Sequence, residues 1–190
     1  MGQPWRAPER WCCAKGMSFA TIDDIPVSTQ SIAVRRFAVI STKPFADVVA
    51  ALDAAIAHPD MAAFRKDITG TKSYRELEAV VHKALGSSDL VEFVRFDLGE
   101  ILRKDRGDSA PRILRVLAGN PLIMKQMVEH SPDAGSYAPV TILIDERPDG
   151  VHLSYDRMAS FLAPYGNTAA LQVARDLDSK VESLLLTAAA

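Results

Sequence analysis

Val140-Thr141-Ile142-Leu143-Ile144-Asp145-Glu146-Arg147-Pro148-Asp149-Gly150-Val151-His152-Leu153-Ser154-Tyr155 is two β-branched runs on either side of a turn. Proline presets the backbone for the turn, aspartate bonds its own main chain, and glycine accepts the unusual φ, so Arg147-Pro148-Asp149-Gly150 reverses the chain. Val140 to Asp145 and Val151 to Tyr155 then pair as an antiparallel hairpin. Successive side chains alternate across a strand. Val151, Leu153 and Tyr155 therefore share one face, while His152 and Ser154 share the other with Thr141, Leu143 and Asp145.

Working backwards from the hairpin, Asn120-Pro121 is a helix cap followed by a helix-starting proline, with Leu122, Met124, Met127 and Val128 continuing the apolar pattern to Ser131. Strands are expected over Arg112 to Leu117 and Leu90 to about Leu98, with Gly107-Asp108 in the turn between them. Ser73-Tyr74-Arg75-Glu76 is a capping box opening a helix whose inner face is Tyr74, Leu77, Val81, Ala84 and Leu85, stopped by Gly86. Asp60 caps a short helical turn to about Ile68. Pro44 opens a helix with the stripe Phe45, Val48, Val49, Leu52 and Ile56, ended by His58-Pro59, and a strand spans Ser31 to Ser41.

Beyond the hairpin, Asp156 is read as the cap of a short helix through Leu162. Asn167 caps the last helix, with Leu171, Ala174, Leu177, Val181, Leu184 and Leu185 facing inward and Asp176 and Lys180 paired outward at i,i+4. Five strands in irregular alternation with helices imply an α+β two-layer sandwich: a mostly antiparallel sheet with helices packed mainly on one face. The other face is left for solvent, a ligand or a second subunit. The expected organisation is a disordered extension over residues 1–30, one domain over 31–186, and a disordered tail over 187–190. Met17 is an alternative start to Met1.

A chain of 190 residues, 48% hydrophobic and 24% charged, is ordinary globular usage. A net charge of −2 supplies no basic surface for nucleic acid. Apolar runs such as Leu184-Leu185-Leu186 fall far short of the roughly 20 residues of a membrane span. The two cysteines, Cys12 and Cys13, are adjacent, so neither a disulfide framework nor a zinc site is expected, and the reading is a cytoplasmic protein. No nucleophile elbow, P-loop, dinucleotide fingerprint or metal-spaced Cys/His cluster occurs, and no cofactor or metal is expected.

Candidate binding residues come from the strands and the cap. Arg35, Arg36, Arg95, Arg112 and Arg115 sit at strand positions where a planar guanidinium could hold a carboxylate or phosphate, or simply pair across strands. His152 stands on the free face. Asp97 and Glu100 are carboxylates that could work with it as acid and base. The candidate set is Arg95, Asp97, Arg115, Asn120, His152 and Tyr155, with no catalytic residue assigned.

The stretch Phe96-Asp97-Leu98-Gly99-Glu100-Ile101-Leu102 precedes Gly119-Asn120-Pro121-Leu122. Tyr137-Ala138-Pro139-Val140-Thr141-Ile142-Leu143-Ile144, Pro148-Asp149-Gly150, Ser154-Tyr155-Asp156 and Gly166-Asn167 follow in order. Over about residues 31 to 186 this series resembles the family known as domain of unknown function 302. The resemblance implies a small α/β sandwich, often a homodimer, without an agreed activity. Relatives with cysteines beside the Asn-Pro pair and after the later proline differ from this chain, which has Gly119 and Val140 there, so a thiol role does not carry over. The segment Asp60 to Ser88 is longer than in compact relatives. Three functions stay open: a non-catalytic dimeric module binding a small anionic or amphipathic ligand; an enzyme using His152 with Asp97 or Glu100; and an interaction domain whose open sheet face is covered by a partner subunit. A pocket lined by Arg95, Arg115 and His152 would favour a ligand, and a flat apolar face would favour dimerisation.

Overall fold

The computed structural model describes residues 26–190. Most of the expected N-terminal extension, with Cys12, Cys13 and Met17, lies outside the described residues. From Arg36 onward come β1 (Arg36–Ser41), α1 (Phe45–Ala55), α2 (Met61–Gly70), α3 (Tyr74–Ala84), β2 (Val91–Asp97), α4 (Leu98–Arg106), β3 (Ile113–Gly119), α5 (Pro121–Val128), β4 (Val140–Arg147), β5 (Gly150–Asp156), α6 (Met158–Leu162) and α7 (Thr168–Ala189). The strands form one antiparallel sheet in the order β1-β5-β4-β3-β2. The protein is an α+β sandwich, as the hairpin and its neighbours imply.

Alternation decides which side of the sheet is core. Val116, Ala118, Ile142, Ile144, Leu153 and Tyr155 turn to one side and bury against Val48 and Leu52 of α1, Met158 and Leu162 of α6, and Ala174, Val181 and Leu185 of α7. Each large apolar side chain so buried contributes about 1.5–3 kcal/mol. A smaller cluster of Phe64, Val81, Val91 and Leu122 joins α2 and α3 to β2 and α5.

The local signals for helix starts act largely as expected. Asp60 accepts from the N–H groups of Ala62 and Ala63 at 2.8 and 2.9 Å, and Asn167 from Ala170 at 3.0 Å. Ser73 accepts from Glu76, but the Glu76 carboxylate reaches one residue further back, to the N–H of Lys72. Asn120 accepts from Leu122 at 2.8 Å and also donates to the carbonyl of Asp89 at 3.1 Å, so it ties α5 to the loop before β2. Asn120→Ala removes a buried cap and a tertiary bond together and is expected to cost about 2 kcal/mol in urea denaturation.

Several expectations are corrected. β1 begins at Arg36 rather than Ser31, because the main chain of Arg35 is engaged by Ser160 and Arg157. The chain between Asp97 and the turn at Gly107, for which no element was expected, forms α4, capped by Asp97, whose carboxylate accepts from the Glu100 N–H at 2.9 Å. Asp156 does not cap α6: it forms a two-pronged pair with Arg36 at 2.7 and 2.8 Å. Its place is taken from a distance by Asp178 of α7, which accepts from Met158 at 2.7 Å and Ala159 at 3.1 Å. Asp176 is bonded by Gln172, not Lys180, which reaches Asp89 at 2.5 Å. Residues 187–189, read as a tail, are the last turn of α7, where the carbonyl of Ala189 accepts from the Ser41 hydroxyl at 2.7 Å.

Candidate functional site

The face of the sheet turned away from the core is the surface the candidates were expected to share. Register fixes its rows. Phe96, Arg115, Leu143, Ser154 and Ala38 cross the five strands in one line. Ile113, Asp145, His152 and Ile40 form the line on one side of it, and Val94, Leu117 and Thr141 the line on the other. Thr141, Leu143 and Asp145 thus share the face of His152, as alternation requires. Ile40 is 50% exposed, Phe96 45% and Val94 38%, large side chains that a solvated face has no reason to carry.

Arg115 stands in the middle row, exposed, with no ion-pair or hydrogen-bond partner among the described residues. His152 lies two strands away and one row over, roughly 12 Å by strand spacing. Its ring is 13% exposed and its Nε2 lies 2.9 Å from a carboxylate oxygen of Asp149 in the turn, an interaction that holds the Asp149 carboxyl below the usual aspartate range. Asp145 on the same face is paired with Arg147.

The remaining candidates sit elsewhere. Arg95 pairs with Val116, a core position, and so points to the opposite side of the sheet. There its guanidinium joins Asp53 of α1 and Glu92, 2.6 Å from the latter, and these bonds, that to Asp53 foremost, raise its pKa further. His58 completes the cluster, with Nδ1 3.6 Å from Glu92. Asp53, His58 and Glu92 place ligand-type atoms within 4.8 Å of one another, but both carboxylates are turned to Arg95, so the cluster is a bridge from α1 to β2. Asp97 is bound by Arg103 at 2.6 Å, which lowers its pKa. Tyr155 is 2% exposed and donates to Asp178 at 2.6 Å; burial and the Asp178 charge push its pKa up. Asn120 lines a cavity at the far end of β3.

Two expected constellations therefore do not form. Arg95, Arg115 and His152 do not converge, because register puts Arg95 on the other side of the sheet. His152 and Asp97 stand three strands apart, roughly 14 Å, and Asp97 is engaged by Arg103 and the α4 cap. They cannot act as acid and base on one small substrate. The strand arginines Arg36 and Arg112 are likewise spent on Asp156 and Glu146. What the sequence reading missed is apolar: the exposure of Val94, Phe96 and Ile40, and the cavity beyond Asn120. Period-two alternation of large apolar residues to the open side, as at Val94 and Phe96, is the signal that could have found the first.

Fold and surface together define an α+β sandwich with one sheet face packed by helices and the other open and partly apolar. The family model described as "Domain of unknown function DUF302" matches residues 64–187, and the chain belongs to that family. Among solved structures, the chain is similar to that of an uncharacterized conserved protein DUF302 from Bacillus stearothermophilus, with a TM-score of 0.55 at 9% identity, over 80% of this chain and 96% of the other. At that identity the likeness concerns the fold alone. No curated protein matches the chain. Among the described residues, no helix is long and apolar enough to cross a membrane.

Proposed function

We propose that the protein is a non-catalytic interaction module of the cytoplasm that works as a homodimer, with the open sheet face as the surface between the two copies. One observation carries this reading: Ile40, Val94 and Phe96 are each more than a third exposed across a single sheet face, with Leu117 and Leu143 between them. Exposed apolar patches of this kind mark contact surfaces. A five-stranded face measures roughly 24 by 20 Å, close to 500 Å² per copy, which brings two copies to the ~1,000 Å² a specific interface needs.

Sedimentation velocity at micromolar concentration tests this. The chain is expected as a dimer, and Phe96→Asp as a monomer with unchanged circular dichroism, because a carboxylate on the covered face would be desolvated twice. A wild-type monomer overturns the reading. A second reading, a small anion held at Arg115, is favoured by that residue's exposed guanidinium, which has no partner among the described residues. Phosphate that raises the melting temperature of the wild type but not of Arg115→Gln would move the function there.

A further inference from the structure

Between the far end of β3, the start of β4 and α5 lies a cavity of about 340 Å³. Phe93 of β2, Ile123, Met124 and Met127 of α5, Pro139 and Leu177 of α7 form most of its wall. Two glycines hold it open. A side chain on Gly119 would come within 3.2 Å of the Phe93 ring and 3.4 Å of Pro139, closing the gap between them, whereas one on Gly135 would meet only Val128, at 3.9 Å. Ile40, Val94, Phe96, Leu117 and Leu143 of the open face are not among its lining residues, nor is any member of the Arg95 cluster.

The chemistry of the wall defines what fits. Among the described residues that line it, none is charged. Its polar side chain, Asn120, has its oxygen bonded by the Leu122 N–H and its amide bonded to the Asp89 carbonyl. Among the described residues, no buried side-chain nitrogen or oxygen is without a partner, so no side chain buried in the wall waits for a polar ligand atom. A charged guest would lose its hydration without compensation. An apolar guest gains contacts, and methionine adapts to irregular shapes and interacts favourably with aromatic rings. For scale, an engineered apolar cavity of about 150 Å³ holds one benzene, so roughly twice that volume suits a two-ring molecule. Met124, 38% exposed, stands where such a guest meets solvent.

We propose that this cavity is a binding site for a neutral, planar, apolar molecule of about two fused rings. N-phenyl-1-naphthylamine, a neutral fluorophore whose naphthalene is the two-ring part the cavity would take, its phenyl ring left towards the mouth, is the probe. Titrated into the full chain it is expected to bind at one site per chain with a dissociation constant in the micromolar range, to be displaced by naphthalene, and to resist displacement by naphthalenesulfonate. Gly135→Leu fills the cavity and Met124→Glu charges its mouth; each is expected to weaken binding at least tenfold. Met124 is exposed enough for its variant to fold even if Gly135→Leu does not. Ile101→Asp, on the exposed side of α4, is expected to leave binding unchanged. Absence of binding up to the solubility of the probe, undiminished binding in Met124→Glu, or loss of binding in Ile101→Asp would each overturn the assignment.

Discussion

Asp178→Ala is expected to lower the unfolding free energy by about 4 kcal/mol, read as a shift of the urea midpoint with the slope unchanged. The Asp178 side chain accepts from the Tyr155 hydroxyl, the Met158 N–H and the Ala159 N–H, all at the junction of β5, α6 and α7. Alanine strands the phenol hydrogen in a buried site and the Ala159 N–H in a half-buried one, and takes the cap from α6, a five-residue helix whose own N-cap residue, Arg157, supplies none. Asp178→Asn keeps one acceptor and should cost about half as much. Burial raises the pKa of Asp178 above the ordinary aspartate value. The folded state then holds this proton at a pH where the unfolded chain has released it. The group's contribution to stability is therefore full below about pH 3.9 and declines as pH rises towards its higher folded value. The stability of the wild type relative to Asp178→Asn should shrink as pH rises from 4 to 7, and a difference that widens would mean that the buried charge is not penalised.

Gly86→Ala is expected to cost about 3 kcal/mol. Its Cβ would meet backbone only: the Ala55 carbonyl oxygen, the Ala57 nitrogen at 2.6 Å and the Ile56 carbonyl carbon at 3.0 Å. This is where the exit of α1 passes the approach to β2. Ala57 and Gly86 both donate to the Leu90 carbonyl, Ser88 donates to the Ala55 carbonyl at 3.1 Å, and Glu92 donates to the Ala57 carbonyl at 2.8 Å. No side chain can swing away to make room, so the two segments must separate and give up several of these bonds. Gly70→Ala, with nothing within 4 Å, is the control and should be close to neutral or stabilising. Equal melting temperatures for the two variants would show that the crossing relaxes freely.

The same glycine shows what can be read in a sequence and what cannot. Gly86 reads as the stop of α3, yet the helix ends at Ala84 with Leu85 as its extended C-cap and Gly86 has no left-handed φ; the reason for the glycine is a backbone thirty residues upstream. Features set by near neighbours were readable: the turn at Pro148-Asp149-Gly150, the caps Asp60, Ser73, Asn120 and Asn167, and the face on which His152 lies. Asp97 and Glu100, three residues apart, are as much a helix-start signal as an acid/base pair, and the structure uses Asp97 as the cap of α4. Asp178 could not be told from an outward residue of α7, because the donors it serves lie about twenty positions away. The binding site suffered most. Whether Arg95 and Arg115 meet depends on which side of one strand each occupies, and the bulge between Glu92 and Val94 breaks simple alternation there.

The order of strands has a consequence for the moment the protein is made. β2, β3, β4 and β5 lie side by side in the order in which they leave the ribosome, so each can pair with the one before it. β1 is synthesised first yet pairs only with β5, and Ser41 at its end is bonded by the last turn of α7. At translation rates of about 5–20 residues per second, residues 36–41 wait roughly six to twenty seconds for their partner. During that interval a hydrophobic strand is without its sheet, and after it β5 offers an open edge until β1 arrives. A nascent chain stalled before residue 150 should therefore be a better chaperone client than one stalled earlier in the helical segment, and the arrival of β5 beside β1 is the step that closes the sheet.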